Sequence, residues 1–260
     1  MRRVFKTLNS LSKKFGYRLI KMEDFNFKKD FPEANKFEKN MLYKCSKYSM
    51  TGFERMFSLI KSIEYVNNNK VEGDFVECGV WKGGNLILFQ NMIEKLKIRK
   101  KIYAFDTFQG MTEPTKNDVM LLGKRETARN IIDKLKKKKV NRKENIVLAE
   151  CSVEDVKKNF LKNTKKNQNL ICIKGPVEKT LKIKKNLPKK ISILRLDTDW
   201  YASTRVELDI LFPLLQKNGI LIIDDYGAWS GSKKAVDSYF SKKNLTMFKI
   251  DISGRLIIKN

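Results

Sequence analysis

From residue 73 onward the chain alternates short apolar runs with stretches of helical periodicity, and this alternation restricts the possible folds more than any other feature. Runs at 74–78, 101–105, 146–149, 170–174, 191–196 and 220–223 read as strands. Helical spacing fits 85–96, 128–135, 153–162, 203–215 and 232–240, and the pair 246–250 and 255–258 around Ser253-Gly254 has the pattern of a β-hairpin. Strands joined by helical crossovers pair in parallel. The expected fold is therefore α/β, a doubly wound, Rossmann-like, mostly parallel sheet of seven strands with an antiparallel edge hairpin. Upstream, Phe53, Phe57, Ile60 and Ile63 share one face of an amphipathic helix over 53–66. Residues 24–48 read as a partly ordered arm or lid. Residues 1–22 carry no acid and set Val4, Leu8, Leu11, Phe15 and Leu19 at helical spacing among Lys and Arg. The expected organisation is an N-terminal helical extension or lid over residues 1–70 and a ligand-binding domain over 71–260.

Composition matters chiefly through what it removes. The chain has no histidine, so Ser-His-Asp and Cys-His nucleophile systems, H-E-x-x-H zinc sites and imidazole acid–base catalysis are all excluded. Four cysteines at 45, 78, 151 and 172 form no C-x-x-C pair and fit reduced thiols. With no apolar run of membrane-spanning length and no secretory signal pattern, the expected location is cytoplasmic. The formal net charge is +26, but 44 of the 55 basic residues are Lys. A nucleic-acid face more typically uses Arg with exposed aromatics, so the excess reads as A/T-rich codon usage spread over solvated surface, and nucleic acid is not the expected partner. The densest run, residues 136–139, reads as a solvated helix end.

In a doubly wound sheet the ligand sits beyond the carboxyl ends of the strands, and acids gather there. The first strand ends in Glu77-Cys78-Gly79-Val80-Trp81-Lys82-Gly83-Gly84 before a helix. Glycines at such a turn let backbone approach a ligand. The spacing E-x-G-x-x-x-G-G is not that of dinucleotide-binding proteins, and an acid on this strand suits an ammonium better than a pyrophosphate. S-adenosylmethionine is the cofactor it favours, with Asp106, at the end of the second strand, placed for ribose hydroxyls. A tight turn with a capping Asp is the plainer alternative. Two later strands end in Asp197-Thr198-Asp199 and Asp224-Asp225. Carboxylates gathered so closely repel one another unless a cation sits between them, and Mg²⁺ or another hard divalent ion is the natural one. Helix caps and salt bridges to Lys are the alternative. Such an ion can chelate two adjacent hydroxyls and lower the pKa of one, and with no histidine Asp197 is the leading base.

Residues 73–84, Asp106-Thr107-Phe108-Gln109-Gly110, residues 196–204 and residues 219–226 together resemble the macrocin O-methyltransferase family, over about residues 50–240. The resemblance implies an S-adenosylmethionine- and Mg²⁺-dependent O-methyltransferase acting on sugar hydroxyls, often of glycosylated natural products. It implies Asp197, Asp224 and Asp225 as metal ligands, with Asp197 also the base. It implies cofactor contacts from Glu77, Gly79, Val80, Trp81, Gly83, Asp106, Thr107 and Thr198, from Gly175 near the adenine, and from Thr51 in a segment closing over the cofactor. Lys82 stands where the family usually has Arg, and Ala202 replaces a common acid. The implied acceptor is a sugar, glycolipid or nucleotide sugar. A homodimer and peripheral membrane contact through the basic N-terminal helix complete the expectations. Two other readings compete: a catechol-type O-methyltransferase of small aromatic diols and a nucleic-acid-binding methyltransferase.

Overall fold

The computed structural model describes residues 31–138, 140–141, 145, 148–165, 169–242 and 245–260. The amphipathic segment expected over 1–22 lies outside them. The chain divides into two compact units, residues 1–40 and 41–260. In the first, the Asn35 side chain accepts from Glu38 N and the Glu38 carboxylate from Asn35 N, a reciprocal box that starts helix α1 (Lys36–Cys45).

The second unit is built on a seven-stranded sheet. Its strands are β1 (Asp74–Cys78), β2 (Ile102–Asp106), β3 (Leu170–Lys174), β4 (Ile191–Leu196), β5 (Leu215–Ile223), β6 (Met247–Lys249) and β7 (Arg255–Ile258), in the order β3-β2-β1-β4-β5-β7-β6. Strands β1 to β5 run parallel, and β7 and β6 close the edge as an antiparallel hairpin. The sheet is thus the expected one. Leu148 and Ala149, expected at the end of a 146–149 strand, are not in one of its strands. Ile146 and Val147 lie outside the described residues, and Leu148 N and Ala149 N bond back to Asn145. Those amides close a local turn, and Leu148 packs against Ala128, Ile132, Trp200 and Trp229.

Strand alternation divides the core. Val76, Cys78, Leu194, Leu196, Leu221 and Ile223 pack with Leu208, Leu211, Val236 and Phe240 from α7 (Tyr201–Leu211) and α8 (Ser230–Phe240), after the short α6 (Val177–Thr180). The intervening residues Phe75, Glu77, Ile193 and Arg195 point to the other face, where Phe75 stacks on Phe89 at 4.9 Å. Here α2 (Phe53–Asn68) contacts β4, β5 and α3 (Gly84–Leu96), which in turn contacts α5 (Val153–Asn163). The predicted face of α2 is the buried one, with Ile60 and Ile63 fully covered. Helix α4 (Ala128–Lys137) ends in exposed lysines. All four cysteines are free. Among the described residues no helix is long and apolar enough to cross a membrane.

The order reverses between β1 and β4, which sit side by side while their chain neighbours lie on opposite sides. That reversal opens a crevice at the carboxyl ends of β1 and β4.

Candidate active site

The turn after β1 approaches the start of the loop after β4. Gly79 has φ +82°, and a Cβ there would lie 1.9 Å from Asp197 O. Only glycine permits this contact, so the two loops are locked edge to edge, with Asp197 N bonded to Cys78 O at 2.8 Å. Asp106, from β2, ties down the other side of the turn. Its Oδ2 accepts from Val80 N at 2.7 Å and Trp81 N at 3.3 Å, and its Oδ1 from Phe108 N at 2.7 Å. Burial raises its pKa and these backbone donors oppose the rise.

A pocket of about 750 Å³ lies over these turns. Of the predicted cofactor residues, Glu77, Gly79, Val80, Trp81, Asp106, Thr107, Gly175 and Thr198 line it, together with Asp197 and Asp199. Gly83 does not; it is the left-handed N-cap of α3. Thr51 lines a second pocket and accepts from Asn85 Nδ2 and Arg195 Nη2. Three buried polar atoms at the first pocket have no partner: the acceptors Glu77 Oε2 and Asn85 Oδ1 and the donor Trp81 Nε1. Unsatisfied buried atoms are costly, and this set is complementary in kind to a ligand bearing an ammonium and a carboxylate. Burial pushes Glu77 up to about 7 although Arg195 and Asn85 both favour its charged form.

The second pocket, about 800 Å³, shares Met50, Asp197 and Asp199 with the first. Its floor is acidic and its walls are largely apolar, with Met120, Leu122, Trp200, Ala228 and Trp229. Trp200 meets Trp229 edge to face at 5.0 Å and donates to Thr112 O at 3.0 Å. The loop carrying Met120 is pinned by the fully buried Asp118, which accepts from Thr115 N and Tyr201 N. One oxygen from each of Asp197, Asp224 and Asp225 lies within 4.8 Å of the others. Asp224 and Asp225 are buried, and Asp199 N donates to Asp225 Oδ2 at 3.1 Å. Burial, and then neighbouring carboxylates, push Asp199 to about 7 and Asp225 well above its ordinary value. Asp224 rises to about 6 through burial, despite Arg195 and Arg55. Among the described residues no cation pairs with Asp199 or Asp225. Hard oxygen donors, close spacing and more acids than guanidinium groups fit a divalent ion, which Asp197, Asp224 and Asp225 would hold.

Two guanidinium groups that the sequence reading did not single out stand among these acids. Arg195, on β4, is completely buried and donates to Glu77, Asp197, Asp224 and Thr51. Arg55, in the first turn of α2, pairs with Asp224 and with Asp251 of the β6–β7 loop. Asn85 was also missed. One signal was available for Arg195, a lone charge inside an otherwise uncharged central strand.

A family model described as macrocin-O-methyltransferase (TylF) matches residues 5–257. Demethyldecarbamoylnovobiocin O-methyltransferase of Streptomyces niveus is 30% identical over 211 residues, 80% of this chain and 74% of that protein. An 8-demethyl-8-(2,3-dimethoxy-α-L-rhamnosyl)-tetracenomycin-C 4′-O-methyltransferase of Streptomyces olivaceus is 29% identical over 209 residues, 80% and 73% of the two chains. The solved structure of the O-methyltransferase NovP superposes with a TM-score of 0.69 at 28% identity, covering 82% of each chain.

Proposed function

This chain belongs to the macrocin-O-methyltransferase family, and from that premise we propose that it methylates a sugar hydroxyl of a glycoconjugate, using S-adenosylmethionine and a divalent ion, Mg²⁺ above all. The observation that carries the reading is the meeting of two pockets across Asp197 and Asp199, one with unpartnered acceptors and the other with a convergent acidic triad. A relative named for a rhamnosyl substrate supports the sugar.

When bound, the sulfonium supplies the methyl group and the divalent ion supplies Lewis acidity toward the acceptor hydroxyl. Glu77 Oε2 and Asn85 Oδ1 hold the ammonium, and Asp106 lies toward the ribose. Gly79, Val80, Trp81, Thr107, Gly175 and Thr198 shape the same pocket. Asp197, Asp224 and Asp225 hold the ion. Asp197 would also be the base: Arg195 engages its Oδ2, which leaves Oδ1 to accept the proton of the acceptor hydroxyl. The indoles of Trp200 and Trp229 and the side chains of Met120 and Leu122 exclude water and receive the apolar face of the acceptor. Homodimerisation and contact of residues 1–22 with anionic lipid belong to the same proposal. Sedimentation and vesicle flotation test them separately.

The deciding experiment is methyl transfer to a panel of glycosides, nucleotide sugars and catechols, with and without exhaustive chelation. Transfer to a glycoside, lost on chelation and restored by Mg²⁺, is the expected result. Transfer to catechols alone overturns the sugar assignment, and full turnover under chelation overturns the metal.

A further inference from the structure

Met50, Asp197 and Asp199 line both pockets, and beneath them Arg195 hydrogen-bonds acids of both halves of the site. Its Nη1 donates to Glu77 Oε1 at 2.6 Å and to Asp197 Oδ2 at 2.8 Å. Its Nη2 donates to Thr51 Oγ1 at 2.8 Å and to Asp224 Oδ1. It lies directly opposite Glu77 in the β1–β4 register, so the bridge follows from sheet pairing rather than from a flexible loop. All four Nη hydrogens are used. A buried cation is costly to desolvate unless acids compensate it, and here the compensation is divided: one acid belongs to the ammonium cradle and two belong to the triad. A lysine in this place has the charge without the fork that reaches both sides.

From this geometry we infer that Arg195 is a positioning residue that couples the two pockets, aiming Glu77 Oε2 into the first while restraining the pull of Asp197 and Asp224 on a divalent ion in the second. The inference rests on the two-pocket reading above. Losing the guanidinium takes a positive charge from hydrogen-bond distance of two of the three ion ligands, which deepens the field there. The same loss takes from Glu77 the donor that fixes its orientation. The two affinities therefore move in opposite directions, whereas a residue needed only for folding weakens both. Arg55 touches Asp224 and Asp251 but not Glu77, so its removal moves one affinity alone.

The test is calorimetric titration of Mn²⁺ and, separately, of S-adenosylhomocysteine into the full chain and into R195M, R195K and R55M, each first checked for a cooperative thermal transition. In R195M, Mn²⁺ binds about tenfold tighter and S-adenosylhomocysteine about tenfold weaker. R195K, which keeps the charge and loses the fork, weakens S-adenosylhomocysteine by a similar factor and changes Mn²⁺ by less than about threefold. R55M tightens Mn²⁺ and leaves S-adenosylhomocysteine unchanged. If R195M does not fold, R195K decides. Parallel weakening of both ligands, or no change in either, overturns the coupling while leaving the two-pocket reading intact. A wild-type chain that binds neither probe overturns the reading and the coupling with it.

Discussion

Acids stand at the ends of β1 and β2 and again at the ends of β4 and β5, and the two groups are compensated in different ways. At the first, backbone N–H groups and neutral amides do most of the work. Asp106 collects Val80, Trp81 and Phe108 amides, and Glu77 has Asn85 and one guanidinium nitrogen. At the second, Asp199 and Asp225 face other carboxylates, and each pushes its neighbours further from the charged form. Donors built into a glycine turn are present whether or not a ligand is bound, so the first half is preorganised. The second half has guanidinium partners on Asp197 and Asp224 but none on Asp199 or Asp225, so a further cation would complete its balance. That difference orders the expected effects of breaking each half.

The largest is at the seam. Asp197→Asn keeps the size and the Arg195 contact but removes the proton acceptor, and turnover falls by about a thousandfold. Binding of S-adenosylhomocysteine stays within about threefold, because Glu77 Oε2, Asn85 Oδ1 and the turn tied down by Asp106 are left unchanged. An equal loss in binding and turnover, measured by calorimetry beside a single-turnover assay, would move Asp197 from chemistry to cofactor support.

Asp106→Ala attacks the preorganised half. It strands the buried amides of Val80 and Phe108, so stability drops by about 2–3 kcal/mol, read from urea unfolding. S-adenosylhomocysteine affinity falls by about tenfold or more, while Mn²⁺ affinity is unchanged.

The buried acids have a pH signature, to which Glu77 of the first half contributes alongside three aspartates of the second. Asp199 rises from 3.8 to about 7, and Asp224 and Asp225 rise with it. Between about pH 4 and 7 the folded chain therefore holds protons that the unfolded chain has released. Stability then falls as pH climbs through this window and levels off above it. In chelator the melting temperature should decline from pH 5 to 8. A divalent ion at about a hundred times its Kd returns about 2.7 kcal/mol at neutral pH and flattens the part of the slope that the aspartates contribute, Glu77 and Glu207 keeping theirs. A chelated protein whose stability rises over that range would mean that these three aspartate carboxylates are already neutralised within the fold.

Much of this was legible because strand ends announce themselves: a short apolar run followed by Glu, Asp or Asp-Asp places an acid at the crevice from local pattern alone. Glu77, Asp106, Asp197, Asp224 and Asp225 were found that way. Arg195, Arg55 and Asn85 were not, because their partners come from residues 51, 77, 224 and 251, and only tertiary pairing brings these together. Asn85 reads as a polar residue in a helix and Arg55 as the solvated side of an amphipathic one. Leu148, expected at a strand end, lies in a turn for a related reason. An apolar run can serve a loop as well as a strand, and Leu148 is apolar because it fills the space beside Trp200 and Trp229.

The smallest effect calibrates the others. Ser152 Oγ caps α5 by accepting from Asp155 N at 3.0 Å, and its loss in Ser152→Ala costs about 1 kcal/mol. Helix α5 meets the turn that follows Val80 and Trp81: Asn159 Nδ2 donates to Lys82 O at 3.1 Å, and Val156 lies 3.2 Å from where a Cβ of Gly83 would stand. If that turn is as preorganised as its donors imply, the cost appears in the melting temperature alone and both ligands bind as before. A fall in S-adenosylhomocysteine affinity larger than the stability loss would show that the turn leans on α5. The cofactor half would then depend on packing well outside the crevice, and the contrast with the metal half would narrow.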